Sequence, residues 1–266
     1  MQTAPLNTPS FNGTQYLRKG YDLIWQPNIK RFVFIPLIIN FVLLTFASIY
    51  AFNLISDWYS SLPIWLETHM VSPDWYIRWT AEALNWFVTS LDWLLWPLII
   101  ITVLITVFLL FGFIANWIAA PFNGLLSEAV ECHLAGDLES IENLSLTDSF
   151  KDIPRLIGRE WRKLIYYIPR ALICLILFIT PISMFAPIIW FLFNGWMSAI
   201  QYIDYPNDNH RQPFRKTLSD VKSYRSGPFG FGLFVMLLTM IPIVNILVMP
   251  VAVAGATNLW FDHYRK

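Results

Sequence analysis

Charge is what this chain of 266 residues has least of: Asp, Glu, Lys and Arg make up 14% of it, against roughly 25% in ordinary soluble domains. The deficit is uneven. Residues 32–56, 93–127, 171–203 and 226–261 contain no Asp, Glu, Lys or Arg at all. Each window exceeds the ~20 apolar residues that cross a hydrocarbon core of about 30 Å. A soluble chain of this size would put charge on the outer face of every helix, so a soluble fold is excluded and an all-α integral membrane protein is expected.

Other absences narrow the function. The 18 Lys and Arg are matched by 18 Asp and Glu, so there is no basic footprint for nucleic acid. With only two cysteines, Cys132 and Cys174, a four-thiolate zinc site is out of reach, and a structural disulfide is not expected. The first 17 residues are polar and lack the apolar core of a cleavable signal peptide, so the chain is expected to be anchored by its own spans. His-Glu-x-x-His, Gly-x-Ser-x-Gly and phosphate-cradling glycine loops are all missing. No catalytic residue, cofactor or enzyme activity is therefore expected. Asp204, Asp208 and His210 are too few for a metal site without a second histidine at ligand spacing, and read as a charged turn.

Aromatic residues, by contrast, are plentiful: 13 Trp, 21 Phe and 11 Tyr, as membrane proteins place at their interfaces. Residues 14–25 pattern as an interfacial helix, with Tyr16, Leu17, Tyr21, Ile24 and Trp25 opposite Arg18, Lys19 and Asp22, and this segment leads through residue 31 into a first span, 32–55. Segment 56–92 holds a single base, Arg78. Ser72-Pro73-Asp74 reads there as a helix start, followed by Trp75, Trp79, Trp86 and Trp93 at helical spacing. A second span covers 93–120 and ends before Pro121. Since 17 of the 18 bases lie outside 56–92, that segment is external. The N-terminus, the helices of 121–170, a loop at 204–225 and the C-terminus are cytoplasmic.

This orientation constrains the last two uncharged windows, 171–203 and 226–261, because each begins and ends on the same side. Pro181 and Pro187 interrupt one, and Pro242 and Pro250 the other. Each proline removes an amide and disfavours helix just before it. The resulting arms are mostly too short to span, so the pattern predicts two hairpins that turn back inside the bilayer. Complete but kinked pairs of spans are the alternative. Non-helical tips at that depth need cover from protein or a wet cavity, which favours a homo-oligomer or a polar pathway. In 121–170, Lys151, Arg155, Arg159, Arg162 and Lys163 share a sector of about 120°. They face either lipid phosphates or a pore.

Asn123-Gly124-Leu125-Leu126-Ser127-Glu128 follows Pro121 and reads as the start of the first cytoplasmic helix, with Asn123 as its cap. The free amides of such a start carry about half a positive charge and make an anion site. Lys30 and Arg31 fall at the same level. Spacing alone favours a topology anchor for Lys30-Arg31 and a packing turn for Gly124-Leu125-Leu126 over an anion site.

Several ordered blocks resemble the CysZ sulfate permease family. They are Trp117 through Glu128; Arg159-Glu160-Trp161-Arg162-Lys163-Leu164 with Tyr167-Ile168-Pro169-Arg170; Gln201-Tyr202 with Asp204-Tyr205-Pro206 and Asp208-Asn209-His210; and the tail from Thr239-Met240-Ile241-Pro242 through Met249-Pro250 to Gly255-Ala256-Thr257. The resemblance runs from about residue 15 to 265. It implies sulfate uptake across the bacterial inner membrane for cysteine synthesis, through two full spans plus hairpins that penetrate part way. It also implies a sulfate site at Lys30, Arg31, Gly124, Leu125 and Leu126, with Glu128 completing the motif. Lys30 departs from the family's usual pair of arginines, offering a point charge in place of a planar fork. No acid lies in a spanning segment, which points to passive flow, since proton relays use intramembrane carboxylates. A membrane scaffold that tethers sulfur-assimilation enzymes is the competing hypothesis.

Overall fold

The computed structural model describes residues 13–145 and 151–265. Nine α-helices and no strand carry the described residues: α1 Gly13–Ile24, α2 Lys30–Met70, α3 Trp75–Ala135, α4 Leu138–Glu142, α5 Ile153–Ile176, α6 Ala186–Asn209, α7 Phe214–Ser223, α8 Ser226–Thr239 and α9 Pro242–His263. Lys30–Met70, Ser183–Asn209 and Val244–His263 are each long and apolar enough to cross a membrane. The chain is an all-α membrane protein. Its described residues fall into two packing units, one of them Leu37–Ile118 and the other the remainder.

The unit Leu37–Ile118 is built from the long arms of α2 and α3. At 41 residues, α2 is about 62 Å long and continues through Pro63 well past the expected end of the first span at residue 55. Phe41, Phe46, Tyr50 and Trp58 are exposed along it, as suits a helix whose surroundings are apolar. The two arms meet where the Tyr59 and Trp96 rings lie 4.8 Å apart. Helix α3 opens at Trp75, two residues later than expected, because the Ser72 hydroxyl holds the Asp74 amide (3.3 Å) and the Asp74 carbonyl accepts from Arg78 (3.1 Å). It turns through 90° between Trp75–Leu91 and Trp96–Thr106, beside Pro97, which has no amide to give the helix. Trp75, Trp79, Trp86 and Trp93 are all exposed. The side chains of 107–120, on which much of the expected second span rests, lie outside the described set.

In the other unit, α1 lies on α8 and α9, and α6 lies on α8 and α9, at distances set by glycine. A methyl added to Gly20 would fall 2.3 Å from the Val251 carbonyl, one on Gly13 would fall 2.4 Å from the Gly227 carbonyl, and one on Gly232 would strike the Gly195 backbone. The α1 stripe of Tyr16, Leu17, Gly20, Leu23 and Ile24 is consequently buried against protein. Of the aromatics expected at the interface, only Tyr21 and Trp25 remain exposed.

Three expectations need correcting here. Segment 204–225 is not a loop: α6 continues through Pro206 to Asn209, and α7 follows. Asp204 and Asp208 must keep helical spacing to meet Arg159 and Arg155 on α5, which holds that turn despite the proline. Pro250 does not break the last helix; the interruption is at Met240–Ile241, where Ile241, before Pro242, is extended (φ −96°, ψ 107°). Between α5 and α6 the break covers residues 177–185, with Thr180 extended ahead of Pro181. Two arms are longer than expected, since α6 has 24 residues and α9 has 22, whereas α8 is short, with 14, and α5 ends at Ile176 within the expected first arm.

Candidate functional site

Helix α3 ends at Ala135 because Gly136 takes φ +78°. Asp137 then caps α4, its carboxylate accepting the Ser140 amide at 3.1 Å. Lys30 and Arg31 occupy the first turn of α2 and are both exposed. The Arg31 guanidinium donates to the Ile141 carbonyl of α4 (2.6 Å) and stacks on Phe32. One wall of α4 is thereby tied to the start of α2.

The helix start expected at Gly124 does not exist. Helix α3 is continuous from Trp75 to Ala135, so the amides of Gly124, Leu125 and Leu126 lie inside the helix and are not free for an anion. Pro121 is accommodated within it rather than ending the preceding helix. Leu125 and Leu126 are buried, Asn209 donates its amide to the Gly124 carbonyl (2.9 Å), and Ser127 and Thr257 share a buried hydrogen bond (2.9 Å).

Three of the expected residues do come together. Gly124, Leu125 and Glu128 line a cavity of about 360 Å3 with Asn143, Asp152, Arg155, Asn209 and Arg211. Leu126 and Lys30 are not on its wall, and Arg31 reaches only the back of α4, two residues from Asn143. Much of Glu128 is exposed, yet desolvation, and next the neighbouring Glu131 carboxylate, hold its carboxyl above the usual range, with His210 opposing. Arg211 had no signal in the sequence. It follows the end of α6 in the left-handed region (φ +55°), where its amide bonds the Asp208 carbonyl (2.8 Å) and the Gln212 amide bonds that of Asn207 (2.9 Å). This Schellman stop ordinarily uses glycine. Here it carries an arginine whose guanidinium meets Asp152 at 3.0 Å.

Three of the five bases expected on the α5 stripe, Arg155, Arg159 and Lys163, are held by carboxylates, while Lys151 and Arg162 are exposed. Arg155 binds Asp208 (2.6 Å) and Asp152 (3.1 Å), while Arg159 makes a two-pronged contact with Asp204 (3.0 Å through Nε) and donates to the Gln212 carbonyl. Lys163 meets Asp204 (3.0 Å) and Glu160 (2.7 Å), and Thr217 donates to Asp204 as well (2.7 Å). Arg159, Lys163 and Asp204 are buried. Burial alone would lower the Lys163 pKa, but Asp204 and Glu160 outweigh it and push it above the usual lysine range. The apolar face of α5, with Trp161, Ile165, Ile168 and Leu172, is exposed instead. An amphipathic helix with its charges turned inward and its apolar face outward suits contact with lipid tails.

Around the cavity and the stripe, Arg155, Arg159, Lys163 and Arg211 balance Asp152, Glu160, Asp204 and Asp208. An incoming anion must therefore compete with carboxylates already seated on these bases. His210 pairs with Glu131 (2.8 Å) and stacks on Trp260 (5.0 Å between centroids). Among the described residues no group of His, Cys, Asp and Glu is arranged to hold a metal. A family model described as "Sulfate transporter CysZ/Etoposide-induced protein 2.4" matches residues 16–250.

Proposed function

The chain belongs to the Sulfate transporter CysZ/Etoposide-induced protein 2.4 family, and we propose that it carries sulfate passively across the bacterial inner membrane to supply cysteine synthesis. The match over nearly the whole chain carries this reading. The architecture is compatible with it: there are helices long and apolar enough to span, and a cavity that offers Arg155, Arg211, Asn143 and Asn209. The reading assigns no catalytic role and needs no cofactor.

Sulfate is received at the cytoplasmic ends of α2 and α3. Lys30 and Arg31 attract it from outside the cavity, while Gly124, Leu125 and Glu128 shape the α3 side and Leu126 packs behind them. Because the amides of α3 are spoken for, the donors are side chains. The two helix pairs α5–α6 and α8–α9 enter the bilayer part way. Helix α8, at 14 residues, is about 21 Å long and cannot reach across. Beyond Arg170, α5 and its 3-10 extension reach only to Ile179. The extended backbone at Thr180 needs protein cover in the bilayer, which a second copy of the chain provides.

Purified protein in liposomes should pass radiolabelled sulfate down its gradient without a proton gradient, and pass chloride poorly. Protein-dependent sulfate flux no greater than that of empty liposomes would leave the scaffold as the better reading.

A further inference from the structure

Closer to the hairpin tip, the same helices α5 and α6 border a second, open cleft of about 270 Å3. Its polar lining is Glu160, Lys163 and Tyr167 from α5 with Tyr202, Asn194, Ser198 and Gln201 from α6, beside Leu164 and Met197. Asn194, Ser198 and Gln201 are spaced i, i+4, i+7 and so form one stripe on α6, about 10 Å long. That helix lies in a segment apolar enough to enter a bilayer. Lipid tails offer no hydrogen bonds, so amide and hydroxyl groups facing them are unfavourable. Water or an anion in the cleft would satisfy these groups.

The inner end of the cleft is charged. Lys163 has Asp204 behind it at 3.0 Å and Glu160 in front at 2.7 Å. The Lys163 and Asp204 side chains are 7% and 1% exposed, but that of Glu160 is 45% exposed, so Glu160 is a tethered carboxylate that can leave. Lys163 also stands 5.3 Å from the Tyr205 ring. The Tyr205 hydroxyl accepts from the Asn123 amide (3.2 Å), and Asn123 adjoins Gly124 on the wall of the first cavity. Tyr205 and Asn123 thus stand packed between the two cavities, and a route from one to the other passes where their side chains now meet.

We propose that sulfate passes from the first cavity to the cleft beside Tyr205, and that Lys163 receives the anion there in exchange for Glu160. The proposal rests on the transport reading and assigns it a route. In the full-length chain, with Cys132 and Cys174 replaced by alanine, Ser198→Cys puts a thiol in the cleft. In proteoliposomes a charged, water-borne methanethiosulfonate should modify that thiol, sulfate should slow the reaction while chloride does not, and labelled protein should lose its sulfate flux. Glu160→Gln removes the competing carboxylate and should tighten sulfate binding at least about tenfold.

A thiol that resists the water-borne reagent, sealed by lipid or by a second copy, overturns the route. So does a labelled protein whose flux is unchanged, and unchanged affinity in Glu160→Gln overturns the exchange at Lys163. If unlabelled protein moves no sulfate, the transport reading fails and the route with it. If unlabelled protein moves sulfate and labelled protein does so equally well, only the route fails.

Discussion

Replacing Arg211 separates the helix stop it forms from the cavity it borders. At φ +55° an L side chain costs about 1–2 kcal/mol that glycine avoids. Glycine's extra freedom in the unfolded chain takes back about 0.4–1 kcal/mol. The ion pair lost with Asp152 is short (3.0 Å), but the Arg211 side chain is 65% exposed, and exposed pairs contribute about 0–1 kcal/mol. Arg211→Gly should therefore unfold within about 1 kcal/mol of the parent. Arg211→Ala loses the same pair, keeps the strain, and should be less stable than Arg211→Gly by about 1 kcal/mol. Both variants remove the same cationic donor from the cavity. If that donor touches the anion, both should weaken sulfate binding by about tenfold or more. Chemical denaturation in detergent measures the first comparison, and equilibrium binding of radiolabelled sulfate the second. Equal stability of the glycine and alanine variants would refute the strain argument. Parental affinity in both would remove Arg211 from the site.

Three further outcomes follow from the geometry. Arg31→Ala should weaken sulfate binding about ten- to a hundredfold and Arg31→Lys less; identical binding by all three proteins would move the site away from α2. Asp204→Asn leaves Arg159 and Lys163 buried without their shared carboxylate, so unfolding should become easier by about 3–5 kcal/mol, and a loss under 1 kcal/mol in a denaturation curve would contradict the burial described. Gly20→Ala should destabilise by about 1–3 kcal/mol through overpacking, whereas Gly158→Ala, with nothing within 4 Å of the added methyl, should be neutral or stabilising in the same assay.

Much of the fold class could be read directly, because uncharged windows this long have no other solution. The polar sector of α5 was equally visible as a period. What it faces was not, because periodicity identifies a charged face and is silent about the partner; Asp204 and Asp208 lie more than forty residues away. Prolines misled for a related reason. Pro181 lies in the break, while Pro206 and Pro250 are carried inside helices whose neighbours hold them, and local preference does not distinguish these cases. The Gly124 segment has the composition of a helix start, yet the helix before it never stops. Arg211 was invisible because its position is fixed by the end of α6, which the sequence reading placed in a loop.

The seating of α1 on α9 has a consequence for synthesis. Tyr16 bonds Asp262 (3.1 Å), 246 residues away, and Gly20 meets Gly255 and Val251 at backbone distance. Helix α1 is made some 246 residues before the part of its seat that Asp262 supplies. At about 5–20 residues per second the interval between the two is on the order of 10–50 s. Through that interval the stripe from Tyr16 to Ile24 has no α9 to pack on. Its amphipathic surface must be sheltered meanwhile by a lipid headgroup layer or a chaperone. A chain truncated before residue 251 would never complete the seat, leaving a nascent product marked by an unburied apolar stripe from Tyr16 to Ile24.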